Sequence, residues 1–419
     1  MKSVLIIIPY DRIYPPMNGG MQRCFHILHQ LALHFKVTAI INQDKLLFQK
    51  ALPFYPALAA VNIYSTRNQK QTLDMVSILP PRIKNALRYR WYKRTLKATT
   101  DGNFLLYYPL LKRMLKKNSY DAVILENLDT LNAVDIIRRF DKKTKIIYDT
   151  LNVGYRLAEQ EVKKGMMKTG QMQGILETEK NFYKKLDAIF TCSNIELADF
   201  KTINKGYLHG AVIPNGVELF PHLFDAGVSS DYPEYIIFCG SLFYEPNAEG
   251  LAWFCNKIWP AVKQSFPSLK LLVVGSGNLA AQSAAKEQDN NWIFTGTVAD
   301  VKPFYNQAAV AIVPLKSGSG TRLKILEAMG LGVPVISTAK GAEGIDYTDG
   351  RDIIIADEEK QFAAEVIKLL HNKERRLEIK AAAIKLVKSK YDWHIIGNQM
   401  STFLNSLVDK NGSEKYPGE

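Results

Sequence analysis

Residues 316–327 read KSGSGTRLKILE and directly follow the apolar run AVAIVPL of residues 309–315. The run has the length of a buried strand, and Gly318 and Gly320 break it. The chain therefore passes from a strand through a glycine loop into a helix that Thr321 is expected to open. Arg322 and Lys324 then fall in the first helical turn, where aligned peptide dipoles already make the end positive and each added cation costs about 0.3–1 kcal/mol on an isolated helix. An anion reverses the sign of that cost. Free amides at a helix start, glycines that admit close backbone approach and two cationic side chains together make a diphosphate site. Glu327 lies one to two turns further in, where a carboxylate can accept hydrogen bonds from neutral hydroxyls such as those of a ribose. A nucleotide sugar carries both features. The competing reading is a glycine turn before a surface helix with an ordinary Lys324–Glu327 pair, which leaves the first-turn cations unexplained.

Outward from this stretch, short apolar runs alternate with helical patterns. SVLIIIPY precedes GMQRCFHILHQLALHF, in which Met21, Cys24, Leu28, Leu31 and Phe35 recur at helical spacing, and KVTAII follows. Strand, helix, strand implies a parallel sheet. DAVIL (121–125), KIIYD (145–149), AIFTC (188–192) and AVIPN (211–215) extend it into an N-terminal Rossmann-like domain over residues 1–218. A linker is expected at 219–234, within which VSSDYPEY begins at residue 228. The alternation then restarts with YIIFCG (235–240), LKLLVVG (269–275), NWIFTG (291–296), AVAIVPL, VPVIST (333–338) and DIIIA (352–356), a second such domain over 235–390. Helix is expected from about Glu359 to residue 409, its last piece, 391–409, crossing back to the first domain; 410–419 reads as a tail. The fold class is thus α/β, two doubly wound domains in tandem, with ligands expected at the carboxyl ends of the strands and in a cleft between the domains.

Composition sets the limits. The chain has 419 residues, 47% hydrophobic and 23% charged, enough for two or three domain cores. No run approaches the roughly 18 apolar residues of a membrane span. The opening MKSVLIIIPYD has too short an apolar run for a secretory signal, so a cytoplasmic location is expected. Cys24, Cys192, Cys239 and Cys255 lie far apart without a histidine set at ligand spacing, so neither a zinc site nor a disulfide framework is expected. The net charge of +13 points to anionic partners. It is concentrated in residues 82–117, RIKNALRYRWYKRTLKATTDGNFLLYYPLLKRMLKK, where Asp101 is the only acid and aromatic residues interleave with lysines and arginines. That pattern suits an anionic membrane surface, or a plain solvated basic face. No recognition fold accompanies it, so nucleic acid is not expected.

At this point GSGTRLKILEAMGLGVPVISTAKGAEGI (318–345) resembles the donor-binding signature of the family 4 retaining glycosyltransferases, proteins of the GT-B fold. The similarity runs through FCGSLFYEPNAEG (238–250), LLVVGSGN (271–278) and FTGTVADVKPFYNQAAVAIVPL (294–315), and more weakly through PPMNGG (15–20) and VIPNGVE (212–218). The resemblance implies sugar transfer from a nucleotide-diphosphate donor to a glycan or lipid-linked acceptor, with retention of configuration and no metal or other cofactor. It implies that Arg322 and Lys324 hold the diphosphate and Glu327 the donor ribose, and that backbone near Thr297 and Val298 holds the base. Gly240, Ser319, Gly320 and Thr321 would complete the donor side. Two departures stand out. Relatives often pair two glutamates eight positions apart, and counting back from Glu327 reaches Ser319; many carry a histidine in the segment resembling YDTLNV (148–153), where Leu151 stands here. A nucleotide-sugar epimerase and a non-catalytic glycosyltransferase-like partner therefore remain alternatives.

Other residues are candidates of lower specificity. Asn18, Gly19 and Gly20 are expected between the first strand and the first helix, where small residues let backbone approach the donor, or where they merely start the helix. Asp149, Asn152 and Asn215 end strands and are candidates for touching sugar or acceptor, with simple turns as the alternative. GSGNLA (275–280) fits the G-x-G-x-x-G/A dinucleotide pattern and would suggest an NAD enzyme, but it does not open its domain as that fingerprint does.

Overall fold

The computed structural model describes residues 1–67, 104–163, 165–204, 209–219, 235–277, 289–318 and 320–409. The expected linker is described at Leu219 alone, and the tail and residues 82–103 of the basic segment lie outside the described residues. Two compact units emerge: Met1–Ile213 together with the chain from Gly397 onward, and Pro214–Ile396.

The first unit is built on seven parallel strands in the order β3-β2-β1-β4-β5-β6-β7. They are β1 (Ser3–Ile8), β2 (Lys36–Ile41), β3 (Asn62–Ser65), β4 (Ala122–Glu126), β5 (Lys145–Asp149), β6 (Ala188–Thr191) and β7 (Gly210–Val212). The strand β3 has no counterpart in the sequence reading: NIYS is four residues long, lies at the sheet edge and is mostly half-exposed, so its hydrophobic signal is weak. In the second unit β8 (Tyr235–Cys239), β9 (Lys270–Val274), β10 (Trp292–Gly296), β11 (Ala311–Val313), β12 (Val335–Ser337) and β13 (Ile354–Ile355) form a parallel sheet in the order β10-β9-β8-β11-β12-β13. Side chains of β8 alternate between faces. Ile236 and Phe238 join Trp259 and Phe362 on one side, and Tyr235 and Ile237 join Ile325 and Met329 on the other. Burial on both faces is why these strands read as continuous apolar runs.

Register places charge in the first unit. The β4–β5 ladder sets Glu126 opposite Asp149 at its carboxyl end, both 1% exposed. Arg23, on the helix Gly19–His34, answers them: its Nε and Nη2 donate to the Asp149 carboxylate, Nη2 at 2.5 Å, and its Nη1 donates to the carbonyl of Ile213 at 2.7 Å. One side chain thus ties the first helix to β5 and to the last residue of the unit's main stretch. Glu126, buried beside Asp149, has its carboxyl held well above the usual range, by burial first and by Asp149 next.

The helix Phe104–Lys117 separates the two components of the basic segment that it carries. Tyr107 is buried, with its hydroxyl donating to the Asp129 carbonyl at 2.8 Å, and Leu110, Leu111 and Met114 join the core. Lys112, Arg113, Lys116 and Lys117 are exposed. Among these residues Tyr107 therefore serves packing, and the basic face is the part presented to solvent. Among the described residues no helix is long and apolar enough to cross a membrane.

Two further buried carboxyls set a pH dependence. Glu179 accepts from the amides of Gly154 and Tyr155, at the start of the helix Gly154–Lys163, and Glu196 accepts from the amide of Cys192. Burial raises each from its ordinary 4.5 to about 7 against the opposing pull of those amides. A carboxyl with a raised folded pKa favours folding most when protonated in both states, below about 4.5, and that contribution is lost as pH rises through about 7. Thermal unfolding should therefore show the melting temperature falling between pH 5 and 8. Glu179→Gln with Glu196→Gln, which keeps an acceptor oxygen and removes the titration, should flatten that fall.

Candidate functional site

Strands β8, β9 and β10 each finish at a glycine with positive φ: Gly240 at 152°, Gly275 at 145° and Gly296 at 70°. The ladder continues through them, with the Gly240 amide donating to the Val274 carbonyl at 2.8 Å and the Gly275 amide to the Gly296 carbonyl at 3.0 Å. A Cβ on Gly275 would lie 2.2 Å from the Gly240 carbonyl oxygen. The first glycine of GSGNLA is thereby explained by the close approach of two protein loops. The second loop is tied to the first again by the Leu242 amide donating to the Ser276 carbonyl at 2.6 Å.

Against this edge stands the helix Leu323–Gly330. It begins one turn position later than the sequence reading has it, so Arg322 is its N-cap and only Lys324 lies in the first turn. The two cations have different surroundings. Arg322 is 8% exposed and its guanidinium folds back on the glycine loop, donating to the carbonyls of Gly320 at 2.9 Å and Ser317 at 3.3 Å. Arg322 thus braces the loop that carries the site. Gly318 (φ 97°) and Gly320 (φ 78°) supply the left-handed turns this loop requires, and a Cβ on Gly318 would sit 2.8 Å from both Arg322 Nη2 and the Tyr244 hydroxyl.

Lys324 is half-buried. Its Nζ donates to Asn247 Oδ1 at 2.7 Å and lies 4.7 Å from the centroid of the Phe238 ring. A Cβ on Gly240 would come within 2.5 Å of that ammonium, so only glycine at this place leaves it room. Burial lowers the ammonium from 10.5 to about 8, with neighbouring Arg322 acting the same way and Cys239 and Glu327 opposing. Glu327 also acts on Cys239 and Tyr305, which places its charge at the same carboxyl edge of β8. The Cys239 thiol is pushed up to about 11, chiefly by burial, and is no nucleophile at neutral pH. The Thr321 hydroxyl is buried with no hydrogen-bond partner among the described residues. Thr297 and Val298 follow Gly296 on the outer strand β10, the first exposed and the second half-buried. Ser319 lies outside the described residues.

Candidates from the first unit have local partners. Asn18 is the N-cap of the helix Gly19–His34, its Oδ1 accepting from the Met21 amide at 2.9 Å, so Gly19 and Gly20 are helical rather than part of the preceding loop. A Cβ on Gly20 would meet the Tyr10 hydroxyl at 2.5 Å and Leu151 at 2.9 Å. Asp149 is enclosed by Arg23, with both oxygens engaged. Asn152 closes a turn, its carbonyl accepting from the Thr150 hydroxyl at 2.6 Å. Asn215, at the start of the second unit, is 5% exposed and precedes Gly216, which packs on Trp393 and Ile396. Sequence reasoning missed Asn247 and Phe238 as neighbours of Lys324, because nothing in the spacing relates residue 247 to residue 324.

With this geometry in view, residues 233–372 match the family model described as Glycosyl transferases group 1. The match lies within the second unit. The chain as a whole has the α/β fold of the GT-B glycosyltransferases. It resembles the crystal structure of Anabaena Alr3699/HepE in complex with UDP and glucose, with a TM-score of 0.64, 14% identity and coverage of 97% of this chain and 100% of that one. By sequence it is 24% identical over 399 residues to an uncharacterized 44.6 kDa protein in the cps region of Klebsiella pneumoniae, covering 93% of this chain and 96% of that protein. It is also 26% identical over 161 residues to a GDP-mannose-dependent monoacylated alpha-(1-6)-phosphatidylinositol monomannoside mannosyltransferase of Corynebacterium glutamicum, covering 36% of this chain and 42% of that enzyme.

In the second unit the Gly240–Gly275 contact makes a direct prediction. Gly275→Ala places a methyl against backbone that cannot swing aside and strains a positive φ. It should cost about 3 kcal/mol or more of stability, read as a lower urea midpoint. Gly350→Ala, at φ 72° with nothing within 4 Å of its added Cβ, isolates the backbone term and should cost only about 1–2 kcal/mol.

Proposed function

We propose that the protein transfers a sugar from a nucleotide-diphosphate donor to a glycan or lipid-linked acceptor with retention of anomeric configuration. The observation that carries this reading is the seat of Lys324: an ammonium at a helix start, held by a neutral amide and an aromatic face beside a glycine-lined strand edge. Breaking the bond between sugar and diphosphate leaves negative charge on the leaving phosphates. Lys324, together with the amides of the first helical turn, would stabilise that charge as it develops. Arg322 would keep the glycine loop in the shape that exposes those amides. Glu327, at the same edge, would accept from the donor ribose, and backbone near Thr297 and Val298 would meet the base. In this scheme fixed protein charge stabilises the leaving diphosphate.

The Anabaena protein in complex with UDP and glucose, and the GDP-mannose dependence of the corynebacterial relative, support a nucleotide-sugar donor without selecting its base. A dinucleotide cofactor at GSGNLA is the less favoured reading, since Gly275 is required by the approach of the Gly240 loop. An acceptor on an anionic membrane surface is supported by the exposed Lys112, Arg113, Lys116 and Lys117.

A panel of UDP-, GDP- and other nucleotide sugars, screened by thermal shift and then assayed with and without lipid-linked acceptors, tests the proposal. Transfer with the donor's anomeric configuration kept, unaffected by chelator, is the expected result. Isomerisation of the donor without an acceptor would establish the epimerase reading instead. Lys324→Ala should weaken binding of the true donor about 10–100-fold with little change in melting temperature, as loss of one charged hydrogen bond to phosphate implies.

A further inference from the structure

We infer that Asn247 is a positioning residue for the donor diphosphate: it sets where the Lys324 ammonium points without adding a counter-charge. The inference rests on the proposed function and adds to it a residue that makes no contact with the diphosphate itself. Asn247 lies on the helix Glu245–Trp253 and is 6% exposed. Its side-chain nitrogen donates to the Ser241 carbonyl at 2.8 Å, which fixes the amide so that only its oxygen faces Lys324. That oxygen takes one proton of the ammonium at 2.7 Å. Among the described residues it is the one hydrogen-bond acceptor the ammonium has, and the Phe238 ring supports it at 4.7 Å. Gly240 closes the arrangement, since a Cβ there would lie 2.5 Å from the ammonium and 2.8 Å from the Asn247 nitrogen. An ammonium has three protons to give, so the clasp leaves others for an anion.

The chemistry of the clasp matters. A carboxylate at this position would hold the ammonium more firmly, yet would neutralise it and compete with phosphate. An amide holds it and leaves a net positive charge. The groups that act on this charge from neighbouring elements are Cys239 at the end of β8, Arg322 beside it and Glu327 one turn on, with Tyr305 hydrogen-bonded to Cys239. None of these is the hydrogen-bond partner of the ammonium, so its alignment falls to Asn247.

The test is calorimetric binding of pyrophosphate, UDP and GDP from pH 6 to 9.5 by the full chain and by Asn247→Ala, Asn247→Asp and Lys324→Ala. In the unsubstituted protein, affinity should fall as pH rises through about 8, where Lys324 loses its proton. Asn247→Ala should bind about tenfold more weakly at pH 7 and lose affinity at a lower pH, because the ammonium has lost its acceptor. Asn247→Asp should also bind more weakly, with the loss moved to higher pH. Opposite displacements of the two profiles, at unchanged melting temperature, would establish the positioning role. Lower affinity with both profiles unmoved would mean that Asn247 only supports the loop, and would overturn the inference. If Lys324→Ala abolishes binding and Asn247→Ala leaves it unchanged at every pH, the inference fails while the proposed function stands. If Lys324→Ala changes nothing, or none of the three probes binds the unsubstituted protein, the proposed function fails and this inference with it.

Discussion

The second unit depends on a backbone contact that admits no side chain. Where β8 and β9 end, Gly275 meets the Gly240 carbonyl so closely that a single added carbon would stand 2.2 Å from it. That contact brings two loops into one layer at the carboxyl edge of the sheet, and it leaves on Gly240 the vacancy into which Lys324 extends. Dispersion and hydrogen bonding along the strands hold the layer in place, while glycine alone permits it. The site is therefore a consequence of sheet packing as much as of the residues that line it.

Charge is handled differently in the two units. In the first, Arg23 and Asp149 form a fully buried ion pair, and Nη1 of Arg23 donates to the Ile213 carbonyl. Removing one partner of such a pair strands the other in a medium that solvates it poorly, at a cost of about 3–5 kcal/mol, so the pair acts as a structural tie. In the second, Lys324 has no carboxylate in hydrogen-bond contact among the described residues, and its ammonium is held by the neutral amide of Asn247. Satisfied charge holds a fold together; charge left without a counter-ion is available to a ligand. The same contrast separates Lys324 from Arg322, which lies two residues earlier and whose guanidinium rests on the carbonyls of its own loop.

Much of this was legible in the chain. Among the described residues twelve of the thirteen strands coincide with apolar runs, because strands of a sheet covered on both faces carry a continuous hydrophobic signal, and β3 escaped because it is short and at an edge. The glycine loop and its helix were legible from Gly318 to Glu327, since loop, cap and first turn are all local features. Asp149 and Asn18 looked equally functional in sequence. In the structure Asp149 is buried beside Arg23 and Asn18 makes a capping bond to Met21, contacts that no spacing in the sequence distinguishes from ligand contacts. Residues that act through distant partners have no spacing to betray them.

The amino-acid sequence by itself determined the two parallel α/β units, the place of the glycine loop between β11 and its helix, and the presence of cations at the start of that helix. These follow from periodicity and from backbone preferences that act over a few residues. Tertiary structure alone decided that Arg322 braces its own loop, that Asn247 and Phe238 flank the Lys324 ammonium, and that Gly275 serves the Gly240 loop. Each of those outcomes is a distance between segments far apart in the chain, fixed only when the strands take their order in the sheet.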